Sequence, residues 1–234
     1  EIQQRLFPKR APVAPGYDMA GASYPAAEAS GDYYDFLSMV DGGIGLAVGD
    51  VTGHGMGPAL IMAETRAYLR IVAINRRRTS AVLNRANQIL AEDLSDNDQF
   101  VTLILGRLDP ATRRFTYSNA GHPSGYVIGA DGRVRLEMSE RLPPLGMIPD
   151  TKYQDSPLFQ LEHGDVLVLL TDGVEETVGP DGSPFGAERI LEVVRKNKER
   201  PAAEIVTAVH DAVMDFSATA LQEDDLTAVV AKVL

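Results

Sequence analysis

Two hydrophobic patterns alternate along the chain: short apolar runs bounded by Gly, Pro, Asp or Asn, and longer segments with apolar residues at helical spacing. Short runs with such boundaries are typical of β-strands. On this basis we predict strands at residues 17–24, 32–40, 44–51, 100–108, 115–119, 126–128, 134–138, 158–161, 166–171 and 226–233. The sequence Asp41-Gly42-Gly43 separates the second and third runs and predicts a hairpin between them.

The segments with helical spacing occur in two pairs. Apolar residues recur three and four positions apart over residues 58–72, 79–94, 187–197 and 201–216. Pro58 and Pro201 suit the first turn of a helix, and Thr79 or Ser80 is expected to cap the second helix. Because the helices come in pairs, an alternating parallel βαβ sheet is excluded. The order favours an α+β fold of two antiparallel sheets, with a helix pair on each outer face.

The start of the chain has a different pattern from the rest. Residues 2–7 resemble the end of an amphipathic helix, which Pro8 stops. Residues 11–16 are rich in Pro and Gly and are interpreted as a linker. We therefore predict an N-terminal helix end and linker over residues 1–16, followed by a single domain over residues 17–234.

Composition narrows the possible functions. The chain has 234 residues, with 22 Lys and Arg against 33 Asp and Glu, and a formal net charge of −11. This balance argues against nucleic acid as a partner, because phosphate backbones are bound by Lys and Arg. The absence of cysteine excludes disulfide frameworks, thiolate zinc sites and cysteine-nucleophile enzymes. No apolar run approaches the ~20 residues of a membrane helix, and we predict a cytoplasmic protein without a membrane segment.

Aspartates stand at the ends of the most apolar predicted strands. Asp50 and Asp172 each follow such a strand, and Asp224 and Asp225 directly precede another. Because these runs are apolar on both faces, each carboxylate is expected at the mouth of a dry interior, where an unpaired charge is costly. Either Arg or Lys partners brought by the fold or a hard divalent cation would offset that cost.

The residue types present favour one kind of metal site. With four histidines and no cysteine, an all-oxygen Mg²⁺ or Mn²⁺ site is the natural metal interpretation, and such a site can activate water and clamp a phosphoryl group. The competing interpretation is structural, because an Asp at a strand end is commonly a turn former or a helix cap. The Gly-rich loop at residues 53–57 is either a flexible turn or a close approach to a bound group. His122 is either a loop anchor or a site residue, and we favour the structural role.

Five motifs occur in order along the chain. They are Ser30-Gly31-Asp32-Tyr33-Tyr34-Asp35-Phe36, Gly49-Asp50-Val51-Thr52-Gly53-His54-Gly55, Ser118-Asn119-Ala120-Gly121-His122-Pro123, Thr171-Asp172-Gly173-Val174 and Asp224-Asp225-Leu226-Thr227. Together they resemble the PPM-type metal-dependent serine/threonine protein phosphatases, and most closely the bacterial branch typified by SpoIIE and RsbU. The resemblance covers residues 17–234 and implies a four-layer αββα sandwich.

The resemblance also implies two Mn²⁺ or Mg²⁺ ions in a cleft between the sheets. The implied metal-ligating residues are Asp32, Asp50, Val51, Asp172, Asp224 and Asp225. Asp50 would bridge both ions, Asp172 and Asp224 would complete the first, and the Val51 carbonyl would help to hold the second.

The resemblance implies different roles for these residues in metal binding. In the family motif the first acid of the last pair is the ligand, so Asp224 ranks above Asp225, and Asp32 would lie in the inner or outer shell. The implied catalytic residues are Asp50, Asp172 and Asp224. Water acidified by the ions would attack phosphorus directly, without a covalent enzyme intermediate, so that chelation should remove the activity.

The implied substrate is a protein phosphorylated on serine or threonine, in this branch usually an anti-sigma-factor antagonist with a STAS domain. Residues 2–7 resemble the linker that joins such domains to an upstream sensor or regulatory module. The alternative function is a catalytically weak or inactive phosphatase-like domain that binds a partner or transmits a signal. Loss of a metal-ligating acid would mark that alternative, whereas the expected acids are all present. A metal-dependent nuclease is disfavoured by the acidic balance.

Overall fold

The strands and helices lie close to their predicted positions. The computed structural model describes residues 3–27, 29–95, 98–139, 141–219 and 222–234. The strands are β1 (Tyr17–Tyr24), β2 (Tyr33–Ser38), β3 (Ile44–Val51), β4 (Val101–Asp109), β5 (Arg114–Ala120), β6 (Tyr126–Ile128), β7 (Val134–Glu137), β8 (Phe159–Gln160), β9 (Val166–Leu170) and β10 (Leu226–Val233). The helices are α1 (Met56–Ala73), α2 (Thr79–Asp93), α3 (Asp172–Glu176), α4 (Gly186–Asn197) and α5 (Ala202–Phe216).

The strands form two five-stranded antiparallel sheets. The first sheet has the order β1-β10-β9-β6-β7, and the second has the order β2-β3-β4-β5-β8. Helices α4 and α5 cover the outer face of the first sheet, while α1 and α2 cover the outer face of the second. These four layers confirm the predicted α+β sandwich with a helix pair on each outer face.

Three hydrophobic clusters separate the four layers, because side chains of the central strands alternate between the two faces of each sheet. In β3, Leu46 and Val48 lie between the sheets, while Ala47 faces α1 and α2. In β10, Val229 lies between the sheets, while Val230 faces α4 and α5. Both faces of these strands are therefore dry, as their near-continuous apolar sequences predict.

An ion pair between an exposed arginine and a buried aspartate holds α1 against β2. Arg70 donates from Nε and Nη2 to the two carboxylate oxygens of Asp35, at 2.5 and 2.7 Å. The Tyr33 hydroxyl also donates to Asp35, at 3.0 Å, and Asp35 is fully buried. Bidentate pairing of this kind compensates a buried carboxylate, and here it fixes the helix on the strand that begins directly after Asp32.

The second helix is capped by a residue distant in sequence. Arg78 occupies the N-cap position, and Thr79 and Ser80 are the first two helical residues. The Asp155 carboxylate accepts hydrogen bonds from the Ser80 N–H at 2.7 Å and from the Thr79 hydroxyl at 3.0 Å. The predicted cap by Thr79 or Ser80 is therefore wrong, because a loop that follows β7 supplies the capping oxygen instead.

Two other elements differ from the prediction. The helix end predicted over residues 2–7 is a 3₁₀ turn at Gln3–Arg5, and Ile2 lies outside the described residues. The helix α3, which begins at Asp172, was not predicted, because it is five residues long and directly follows a strand. The domain boundary after residue 16 stays a prediction. None of the helices within the described ranges has the length and apolar character needed to cross a membrane.

Candidate active site

Asp32 and Asp50 lie side by side at one edge of the second sheet. The antiparallel pairing of β2 with β3 sets Tyr33 against Gly49. Asp32 directly precedes β2, and Asp50 is the residue after Gly49, so the same register places these two aspartates opposite each other. The start of one strand thus brings its acid to the end of the neighbouring strand.

Antiparallel pairing also brings together the acids of the first sheet. Asp172 follows β9, and Asp224 and Asp225 directly precede β10, which pairs with β9 in antiparallel fashion. A Cβ atom on Gly173 would lie 2.3 Å from the carbonyl oxygen of Asp225, a separation that real Cβ atoms do not show. Glycine therefore lets α3 begin in contact with the turn that carries Asp224 and Asp225.

A threonine hydroxyl joins the two sheets at this point. Thr171 Oγ1 donates to Asp32 Oδ2 at 2.9 Å and accepts the Thr227 N–H at 3.1 Å. The Thr227 hydroxyl itself donates to Ser23 Oγ at 2.9 Å, and Asp32, Thr171 and Thr227 are all buried. Sequence reasoning gave neither threonine a role. The sequence feature that could have indicated their role is their position in the two acid motifs, where each lies within three residues of an aspartate.

Three of the proposed acids line a cleft of about 630 Å³, whereas Asp32 and Asp172 are not part of its wall. Asp50, Asp224 and Asp225 line the cleft together with Gly53, from the loop between β3 and α1. Gly53 and Gly55 have φ angles of 94° and 90°, a region that favours glycine, so this loop is a strand-to-helix turn that requires its glycines. The position of Gly53 in the cleft wall also keeps the backbone of this loop close to any bound group.

Burial and mutual repulsion raise the pKa values of these acids. Burial is the largest cause for Asp50, followed by the charges of Asp172, Asp224 and Asp225, and its pKa rises to about 7. Burial, with the neighbouring charge of Asp50, raises the pKa of Asp32 well above its ordinary value. The shifts show that acids from both sheets act on one another across the interface.

A glutamate that the sequence did not single out adds to this charge. Glu176, at the end of α3, lines the cleft. Burial is the first cause that raises the pKa of Asp172, and the charge of Glu176 is the second. Burial also raises the pKa of Asp224, although a hydrogen bond from the Asp225 N–H opposes the shift. Glu176 could be recognised as a residue of the cleft only from the structure, because the sequence did not predict α3.

In the part of the chain that the structure describes, these carboxylates form no ion pairs with basic side chains. Across the described ranges, no salt bridge includes Asp32, Asp50, Asp172, Asp224 or Asp225. The sequence analysis offered two means of stabilising these acids, Arg or Lys partners and a divalent cation. The described residues do not supply the first. The cleft concentrates negative charge that a cation would neutralise.

The donor atoms fit Mn²⁺ or Mg²⁺. A Cβ on Gly31 would lie 2.6 Å from the Val51 carbonyl oxygen and 2.9 Å from Asp50 Oδ1, so glycine leaves these two oxygens room side by side. Carboxylate and carbonyl oxygens are the ligands that these ions prefer. No group of three described His, Asp or Glu side chains is arranged to enclose one ion. The donors therefore fit these ions in chemical type, and water would fill the coordination positions that the carboxylates leave open, as is common for Mg²⁺.

His122 anchors the strand ends beside the site. Its Nδ1 accepts from the Thr102 hydroxyl at 2.9 Å, and its Nε2 donates to the Leu170 carbonyl at 3.0 Å, since that carbonyl can only accept. Full burial is the main cause that lowers the pKa of His122 to about 3, so the ring is neutral. The ring connects β4 of one sheet to β9 of the other, which confirms the predicted structural role.

The contact at Gly173 gives a testable prediction. Gly173→Ala would force α3 away from the carbonyl of Asp225, and we expect a loss of about 1–3 kcal/mol in the free energy of unfolding. Chemical denaturation of the metal-free protein measures this change. The matched control is Gly57→Ala in α1, where the nearest atom to the new Cβ is Gln99 Nε2 at 3.6 Å, an ordinary contact. An equally stable Gly173→Ala protein would contradict the tight contact.

The chain is similar to known proteins over most of its length. The sequence profile of the family described as Stage II sporulation protein E (SpoIIE) matches residues 40–234. Phosphoserine phosphatase RsbU of Bacillus subtilis (strain 168) is 27% identical, over 98% of this chain and 67% of its own length. Protein IcfG of Synechocystis sp. is 24% identical, over 97% of this chain and 39% of its own length. The chain therefore spans only part of these relatives.

Solved structures show the same architecture. The SiaA-PP2C domain of Pseudomonas aeruginosa matches with a TM-score of 0.85 at 24% identity, covering 99% of this chain and 92% of that chain. The PP2C phosphatase domain of SpoIIE from Bacillus subtilis, with a fragment of its regulatory domain, matches with a TM-score of 0.78 at 22% identity, covering 92% and 62%. These likenesses confirm a PP2C-type fold. Because the family profile also spans most of the sequence, the chain belongs to the SpoIIE family.

Proposed function

We propose that this chain is a metal-dependent protein phosphatase that hydrolyses phosphoserine or phosphothreonine. The observation that carries the proposal is a cleft lined by Asp50 from one sheet and by Asp224 and Asp225 from the other, with no salt bridge to these acids among the described residues. The names of two relatives support it, since RsbU and RsbP of Bacillus subtilis are both phosphoserine phosphatases. The chain also retains every aspartate that the family motifs lead one to expect, which argues against a degenerate domain that has lost its ligands.

The geometry supports a role for each central residue. Asp50 lies within the electrostatic influence of the acids of the first sheet, so we assign it to both ions. Asp172 and Asp224 would hold the first ion, and the Val51 carbonyl would hold the second. Bound Mn²⁺ or Mg²⁺ would supply a Lewis acid that acidifies water and neutralises charge on a phosphoryl group. The carboxylates of the chain would hold and orient these ions, and the phosphorylated side chain would enter through the cleft.

The remaining two acids have supporting roles. Asp225 Oδ1 accepts the Ala26 N–H at 2.8 Å, so part of its carboxylate is already engaged, and it ranks below Asp224 as a ligand. Asp32 is almost fully buried and accepts the Thr171 hydroxyl, which favours a place behind Asp50 in the outer shell. From there its carboxyl group orients Asp50 and the water around the ions.

We further propose that the substrate is a phosphorylated anti-sigma-factor antagonist with a STAS domain. The support is the match to RsbU, which extends over nearly the whole chain. The chain covers 67% of RsbU and 39% of IcfG, so these relatives contain further sequence. An upstream sensor or regulatory module is therefore also part of the proposal.

Phosphate release from a phosphoserine-containing protein tests the proposed function. We expect release in the presence of Mn²⁺, none after treatment with a chelator, and recovery when Mn²⁺ is restored. Release that continued after chelation would contradict the two-metal proposal. Binding of Mn²⁺ and of the phosphoprotein without any release would instead favour the alternative of an inactive, partner-binding domain.

A further inference from the structure

The N-terminal segment contacts the loop that leads into the candidate site. Gln3 Nε2 donates to the Ser30 carbonyl at 2.5 Å, and the Ser30 N–H donates to Gln3 Oε1 at 3.0 Å. The carboxamide thus satisfies both main-chain groups of one residue, as a neighbouring strand would. A side chain 27 positions away in sequence holds Ser30 by two hydrogen bonds.

Ser30 is in turn connected to the site acids. Its Oγ accepts the Asp32 N–H at 3.0 Å, and the carbonyl of the next residue, Gly31, accepts the Val51 N–H at 3.3 Å. Gly31 also packs closely against Asp50 Oδ1 and the Val51 carbonyl oxygen. The loop from Ser30 to Asp32 therefore lies between Gln3 on one side and two proposed ligands on the other.

A second contact fixes the same segment beyond Asp32. The rings of Phe7 and Tyr34 stack, with centroids 5.2 Å apart and an angle of 10° between their planes. Tyr34 belongs to β2, two residues after Asp32. The N-terminal segment thus contacts the chain on both sides of Asp32, at Ser30 and at Tyr34, and limits how far this acid can move.

We propose that Gln3 is a positioning residue, which sets the placement of Asp32 and, through Gly31, of Asp50 and the Val51 carbonyl. The consequence for metal binding rests on the proposed function, whereas the positioning itself does not. Groups that orient metal ligands from outside the first shell typically change metal affinity by 10- to 100-fold when removed. Gln3 acts through the main chain and not through a ligand side chain, so we expect an effect at the lower end of this range.

The first experiment measures positioning without metal. In the metal-free protein, Gln3→Ala should increase hydrogen exchange at the Asp32 and Val51 amides, which lie beyond its direct partner Ser30. The matched control is Gln4→Ala, an exposed glutamine in the same 3₁₀ turn, which should leave both amides unchanged. An effect limited to the Ser30 amide, or an equal effect of both variants, would overturn the proposal.

The second experiment measures Mn²⁺ binding by isothermal titration calorimetry. We expect Gln3→Ala to raise the Kd for Mn²⁺ about 10-fold and Gln4→Ala to leave it unchanged. Saturating Mn²⁺ should restore turnover of the Gln3→Ala variant, with KM for the phosphoprotein unchanged. Unchanged Mn²⁺ affinity with a lower melting temperature would mean a purely structural role and overturn the proposal.

The two proposals fail in different ways. If the wild-type protein neither bound Mn²⁺ nor released phosphate, the proposed function would fail, while the exchange data would still decide whether Gln3 positions the loop. The double variant Gln3→Ala with Ser30→Ala adds a further check. If Gln3 acts on Asp32 through Ser30, the effects of the two substitutions on exchange at the Asp32 amide should be less than additive. Additive effects would contradict this coupling.

Discussion

Asp50→Asn is expected to lower phosphate release by about 10³-fold or more while the protein stays folded. Asp50 lines the cleft between the sheets and interacts with Asp172, Asp224 and Asp225. Asparagine has almost the same size but lacks the negative charge that would attract two divalent ions. The variant therefore removes cation binding without creating a cavity. Steady-state release from a phosphoprotein at saturating Mn²⁺ measures the effect.

Two further variants make this prediction specific. Asp172→Asn should be equally inactive, because it removes the acid that the other sheet contributes at the end of β9. Asp150→Asn, at an exposed position, is the matched control and should retain full activity. Circular dichroism and thermal melting verify that each variant is folded. More than a tenth of the wild-type rate in the Asp50→Asn protein would show that the proposed bridging role is wrong.

The second large effect is a loss of stability of the metal-free protein as the pH rises. The pKa of Asp50 is raised to about 7 in the folded protein from an ordinary value of 3.8, which the unfolded chain retains. Between these two values the folded state binds more protons than the unfolded state, so the free energy of unfolding falls with increasing pH. We expect a decrease of roughly 2–4 kcal/mol between about pH 4 and pH 7, and no further contribution from Asp50 above pH 7.

Comparison with Asp50→Asn isolates this contribution. The variant carries no titrating group at this position, so the difference in unfolding free energy between variant and wild type should grow in favour of the variant as the pH rises to 7. Urea denaturation in the presence of a chelator measures it at each pH. Saturating Mn²⁺ should reverse the order, because the wild-type protein has the carboxylate proposed to hold both ions and should bind them more tightly than the variant. A difference independent of pH would contradict the raised pKa.

Local sequence determined most of the elements. The strands β1, β3, β6 and β10 begin and end where the apolar runs predict, because polar or turn-forming residues bound each run. The paired helices and both sheets also followed from periodicity alone. By contrast, the cap of α2 by Asp155 depends on two residues 75 positions apart, and no local pattern could predict it.

The acids proposed for the site were chosen from the sequence, whereas the contacts among them were not predicted. The position of Asp50 and Asp172 at the ends of apolar strands, together with the family motifs, identified the acids. The hydrogen bond from Thr171 to Asp32 joins residues 139 positions apart in two different sheets, and Gln3 contacts Ser30 across 27 positions. Such contacts depend on how the sheets and the N-terminal segment pack, which the sequence pattern does not encode locally.

The assembly of one site from two sheets links catalysis to the central layer of the sandwich. Leu46 and Val229 lie between the sheets, away from the cleft, yet their size sets the separation and the relative slide of the two sheets. A change of one methylene there would shift the acids of one sheet relative to those of the other. If the proposed activity is correct, substitutions far from the cleft could therefore change its rate during evolution.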